Sequence, residues 1–201
     1  DTTIEYKPKY LDASLISQSP SIAIGQAKQE IIRMGQYSVQ GLQEAMQHIN
    51  TYDKKHVNTA AQIEEAINSL DQKTTEYLVS ISKKSLSGHD SKVHNVLLEN
   101  IRDIERIGDH VENLFELTEF IENNGAQLSE DAMQELNDML ELVVQTASLA
   151  IQSLDQLDVN VAKQVLANED QIDHMERKLR KNHIVRLNNG ICTGSAGVIF
   201  V

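Results

Sequence analysis

From Ile24 onward, apolar residues recur at helical spacing. Ile24, Ala27, Ile31, Met34, Leu42, Ala45 and Ile49 share one stripe, interrupted once by the polar Ser38. That period predicts an amphipathic helix whose stripe must be covered by a partner. Its start is signalled at Ser19-Pro20, a capping hydroxyl followed by Pro at the first helical position, and the pattern continues to about Asn50. A second helix is expected from about Val57 to Leu86, ended by Ser87-Gly88. A third runs from about Asp90 to Glu122, ended by Asn123-Asn124-Gly125. Ser129, followed by Glu130 and Asp131, opens a fourth to about Leu154, and a fifth spans roughly Val159 to Leu187. Residues 1–19 hold Pro8, several Ser and few periodic apolar positions, and read as a linker.

The pattern repeats at an offset of 105 residues. Without a gap, Ala27 pairs with Ala132, Gln29 with Gln134, Glu30 with Glu135, Met34 with Met139, Gln47 with Gln152 and Asp53 with Asp158. Helical periodicity alone would align the apolar positions, but it does not dictate matches at Gln29, Glu30, Gln47 and Asp53. A duplication accounts for them. Short connections make sequential helices antiparallel, so the expected fold is all-α: two tandem antiparallel three-helix bundles. The first repeat covers 20–125 and the second 126–201. The second repeat's third helix would begin near Ala196, so most of it is missing. The apolar run Val198, Ile199, Phe200, Val201 is expected to be buried, and with an opening that lacks Met it suggests a piece of a longer protein.

Composition narrows the functional classes. Hydrophobic residues make up 40% of 201 positions but aromatics only 4%, with no Trp and 2 Pro, a balance that suits long helices better than sheets. The formal charge of -12 opposes binding to nucleic acid. Cys192 stands alone, without a His partner that would make it a nucleophile and without zinc-type spacing. No apolar run reaches the roughly 20 residues of a membrane span.

The candidate chemistry lies on the third helix. Glu105 and Asp109 are i and i+4, and Glu112 and Glu116 continue the face, with Arg102 and Arg106 at its flanks. Like charges at this spacing repel unless a cation offsets them. An all-oxygen set suits a hard ion such as Mg, Ca, Mn or ferric iron; a solvated acidic face explains the same residues without an ion. Gly108 inside a helix calls for a reason, the first being close approach of a neighbouring helix. His110 reads as a surface histidine, and the other six histidines form no cluster along the chain. None follows a Glu by three residues, so the Glu-x-x-His pattern of di-metal bundles is missing.

The stretch Asn100 to Asn113, containing Glu105-Arg106-Ile107-Gly108-Asp109, resembles the signature of the PhoU family. Lys9-Tyr10-Leu11-Asp12 through Pro20-Ser21-Ile22-Ala23, followed by Gln29 to Gly35, is similar to the approach to the PhoU domain in sodium/phosphate cotransporter family proteins. The resemblance implies a non-enzymatic regulatory domain involved in phosphate transport and homeostasis. It would sit on the cytoplasmic side of the cell membrane, with the transmembrane transporter part of the same chain as partner and a homo-oligomer as a further expectation. A stand-alone PhoU-like regulator of phosphate uptake is the alternative, and a carboxylate-rich helical-bundle metalloprotein is another. The resemblance also implies metal held by paired acid-x-x-x-acid motifs on the second and third helices, here Asp71 with Glu105 and Asp109. The second-helix motifs depart from that pattern: Asp71-x-x-x-Thr75 and its repeat counterpart Glu176-x-x-x-Arg180 each lack the second acid.

Overall fold

The structure, a computed structural model, describes residues 3–156 and 158–191. It is helical throughout, and no strand occurs among the described residues. A short helix α1 (Ala13–Gln18) precedes five long ones: α2 (Pro20–Thr51), α3 (Lys55–Ser82), α4 (Gly88–Asn123), α5 (Glu130–Gln156) and α6 (Val159–Asn188). None is long and apolar enough to cross a membrane.

The helix ends follow local chemistry. The Ser19 carbonyl accepts the first α2 bond, from the Ala23 N–H at 3.0 Å, with Pro20 at the first helical position. Ser87 Oγ accepts from the Asp90 N–H at 3.0 Å and Ser129 Oγ from the Ala132 N–H at 3.2 Å, so each hydroxyl satisfies an otherwise orphaned donor at a helix start. Asp158 caps α6 through the Asn160 N–H at 2.8 Å. At the far end of α4, Gly125 adopts φ +57, and the Ala126 N–H reaches back to the Ile121 carbonyl at 3.1 Å. Gly190, with φ +69, ends α6 the same way through Ile191 and Arg186. This left-handed closing turn is why glycine stands at both positions. Ser87-Gly88, expected to end the second helix, instead opens α4, and α3 has already finished at Ser82.

Packing divides the chain into two compact units, Asp1–Gly41 with Asn58–Val111, and Leu42–Val57 with Glu112–Val201. The division cuts α2, α3 and α4 part-way along, whereas the sequence repeat changes over between α4 and α5. A helix of 32 residues is about 48 Å long, long enough to contribute to two separate cores. In the first unit the buried stripe is Ala23, Ala27, Ile31 and Met34 on α2, Ile63, Ala66, Leu70, Leu78 and Ile81 on α3, and Leu97, Ile101 and Ile104 on α4. Each of the Ile, Leu and Met side chains among them contributes about 1.5–3 kcal/mol through burial, and each Ala methyl less. Gly41 is where helices come close, since a Cβ there would lie 3.6 Å from Val111 and 3.8 Å from Ile63. The second unit's core gathers Ile49, Ile121, Ala126, Ala132, Leu136, Leu140 and Leu179.

Residues 3–18 differ from a plain linker. They carry α1 and are tied to the first unit, with Tyr77 Oη donating to the Asp12 carbonyl at 2.8 Å and Ser69 Oγ to the Tyr6 carbonyl at 3.0 Å. The third helix expected near Ala196 and the burial expected for Val198 to Val201 lie outside the described residues.

Candidate functional site

The acidic face of α4 stands as its spacing predicts. Glu105 and Asp109 are both exposed one turn apart, and Glu112 and Glu116 are exposed on the same helix. Of the flanking cations, Arg106 pairs with Asp103 at 3.8 Å instead of with the stripe, and both partners are largely solvated. Such a pair contributes little to stability. Asp71, on α3, is half-buried and accepts a hydrogen bond from Thr75 Oγ1 at 2.9 Å. The residue in the second-acid position is thus a donor to Asp71. In the second repeat Arg180 forms an ion pair with Glu176 at 2.7 Å.

These residues do not fit a metal cluster. No group of three or more His, Cys, Asp or Glu among the described residues is placed to hold a metal ion. Thr75 and Arg180 offer a donor hydrogen and a cation where a cluster needs carboxylate oxygen. What Glu105 and Asp109 present is two exposed carboxylates one turn apart on α4. Gly108 corrects an expectation. A Cβ built there has nothing within 4 Å, so no neighbouring helix requires the glycine.

Two arrangements escaped the sequence reading. In the second unit, His48 and His56 are both buried at the α2–α3 turn with ring centroids 6.5 Å apart, so the six histidines do contain a pair. His48 Nδ1 lies 3.1 Å from the Asp53 carbonyl, its ring sits tilted with its centroid 5.3 Å from that of Phe115, and His56 Nδ1 lies 2.5 Å from Glu44 Oε2. They stand eight positions apart across a turn in which Tyr52 takes φ 53, and no linear spacing marks such a pair. The second arrangement is a buried ion pair of Glu30 and Arg33 at 3.3 Å, with side-chain exposures of 0% and 9%. Its repeat counterpart Glu135 accepts from Asn182 at 2.9 Å and from Arg186 at 2.8 Å, joining the start of α5 to the end of α6. The signal was present in the Glu30–Glu135 match, a charged residue kept at the same repeat position.

Comparison with known proteins gives the geometry its context. The sequence model of the PhoU domain family matches residues 31–118 and 136–198, one stretch in each repeat. A relative, the phosphate-specific transport system accessory protein PhoU homolog 1 of Thermotoga maritima, is 21% identical over 184 residues, covering 87% of this chain and 75% of that protein. No solved structure matches. With both repeats matched and the helical architecture in place, the chain belongs to the PhoU domain family.

Proposed function

We propose that this chain is a regulatory domain of phosphate uptake that acts through contacts rather than catalysis, and that it works as the cytoplasmic part of a sodium-dependent phosphate cotransporter. The observation that carries the regulatory reading is the family match over both repeats. The name of the Thermotoga maritima relative, an accessory protein of a phosphate transport system, ties that family to phosphate uptake. The acidic residues Glu105, Asp109, Glu112 and Glu116 are the ones best suited to a contact, because they are exposed charges of one sign along one helix.

The attachment to a cotransporter rests on the stretch from Lys9 to Gly35, which is similar to the approach to the PhoU domain in that family. A stand-alone regulator acting on a separate transport system is favoured by the relative's description as an accessory protein. Radiolabelled phosphate uptake separates the two readings, measured with and without external sodium in cells carrying the intact gene and in cells lacking the segment that encodes these residues. The cotransporter reading expects the sodium-dependent component to change. A change confined to the sodium-independent component would move the function to the stand-alone regulator.

A further inference from the structure

We propose that the first unit carries a main-chain recognition site, built by Arg33 and Glu30 with Tyr37, Ser69 and Tyr77, whose resident ligand is the segment Glu5–Asp12, docked as a separable strap. Nearly all its polar contacts go to the strap's backbone. Glu30 Oε1 accepts from the backbone N–H groups of both Lys9 and Tyr10, the latter at 2.6 Å. Arg33 Nη1 donates to the Lys7 carbonyl at 2.8 Å and Nη2 to the Glu5 carbonyl at 3.0 Å. Tyr37 Oη accepts from the Glu5 N–H at 2.9 Å, Ser69 donates to the Tyr6 carbonyl, and Tyr77 to the Asp12 carbonyl. The side-chain contact is Glu5 Oε2, 3.3 Å from Arg33. A carboxylate facing two consecutive N–H groups, where the chain bends at Lys9 and Tyr10, beside a guanidinium facing the Glu5 and Lys7 carbonyls, holds the segment through its main chain.

Separability follows from what the strap lacks. None of residues 3–22 is fully buried, Tyr6 and Tyr10 are exposed at 37% and 42%, and α1 has no buried residue. Ile4, Pro8 and Leu11 are half-buried, and polar contacts without a fully buried apolar side chain place a segment towards the low-stability end of a fold. Undocking is also tolerable for the site, since water replaces the strap's N–H and C=O groups once the segment leaves. The Glu30–Arg33 ion pair remains as the site's own internal contact.

Hydrogen exchange at the Lys9 and Tyr10 amides, followed in the full chain at rising low denaturant, reads this directly. Both amides should be protected in the unaltered chain, yet exchange through an opening that depends on denaturant far less than the opening of Leu70 and Leu78 in the α3 core. Arg33→Lys keeps the charge beside Glu30 but loses the fork that holds two carbonyls. It should speed exchange at Lys9 and Tyr10 by roughly tenfold or more, with Leu70 and Leu78, which open from the same native state, speeding by no more than the same factor and keeping their steeper denaturant dependence. Combining Lys7→Ala, Lys9→Ala and Tyr10→Ala should alter protection in the strap by less than about threefold, after correction for intrinsic rates, because the backbone groups remain. Three results would overturn the proposal. Lys9 and Tyr10 could exchange unprotected, they could open only together with Leu70 and Leu78, or the alanine variant could lose protection as Arg33→Lys does. The unaltered chain's denaturant profile decides the first two even if a variant fails to fold.

Discussion

Asp109 is exposed on α4, one turn from Glu105, among carboxylates that repel one another at helical spacing. In a solvated acidic face, Asp109→Asn relieves that repulsion, and thermal unfolding should show a melting temperature unchanged or slightly raised. A melting temperature that falls, together with a stoichiometric metal lost on substitution, would reassign the stripe as a ligand set. Asp71→Asn removes the charge but leaves an amide oxygen to accept from the Thr75 hydroxyl, and should not share a metal-dependent loss. His183, on α6, behaves differently. Burial, assisted by nearby Arg186, lowers its pKa below the ordinary value near 6.5, so between the two values the unfolded chain binds the extra proton. Its contribution is therefore fully present above 6.5 and is lost as pH falls towards the lower folded value. Stability measured across this window should decline with falling pH, and His183→Gln should flatten the decline; an equal slope in the variant would remove His183 as its source. The carboxylates of Asp12, Asp53 and Asp90, held below their ordinary value mainly by hydrogen bonds, act only at lower pH, their contribution being lost as pH falls below 3.8.

Among the elements, α4 carries a prediction that its sequence alone would get wrong. Gly108 costs helix stability without giving a neighbour room, since nothing lies within 4 Å of a Cβ placed there. Gly108→Ala should therefore stabilise the chain by about 0.5–1 kcal/mol in denaturant unfolding, and a loss of stability would show that something packs on that position. Three helix ends were legible because their causes are local, Pro20 at a first turn, Ser129 as a cap and Gly125 in a left-handed turn, whereas Ser87-Gly88 was misread as a stop. Where the cause is tertiary, the sequence misled or stayed silent. Gly41 and Gly108 look alike in the chain, yet only Gly41 faces Val111 and Ile63. Residues 3–18 read as linker because few apolar positions recur, whereas they are held through backbone groups that every residue possesses, by side chains 20 or more positions away. The same limit hid the His48–His56 pair, which a turn brings together.

Across the whole molecule, the duplication seen at Glu30–Glu135 and Asp53–Asp158 agrees with a family match lying in both repeats. The repeat and the packing units answer to different physics. The repeat is carried by residue identities, whereas the units follow cores that long helices share, so their boundaries fall at different places. The candidate site was half legible. The acidic stripe was visible as spacing on one helix, whereas the hydrogen bond from the Thr75 hydroxyl to Asp71 was not. A net charge of -12 together with an exposed acidic helix face favours recognition of a cationic surface, consistent with regulation by contact. The most direct test is the initial rate of phosphate uptake at low and at high external phosphate, in cells whose copy of this domain carries Glu105→Gln, Asp109→Asn, Glu112→Gln and Glu116→Gln together. With the domain present at normal abundance, regulation through this face predicts that the dependence of uptake on external phosphate changes. An uptake profile identical to that of the unaltered protein at both phosphate levels would contradict it.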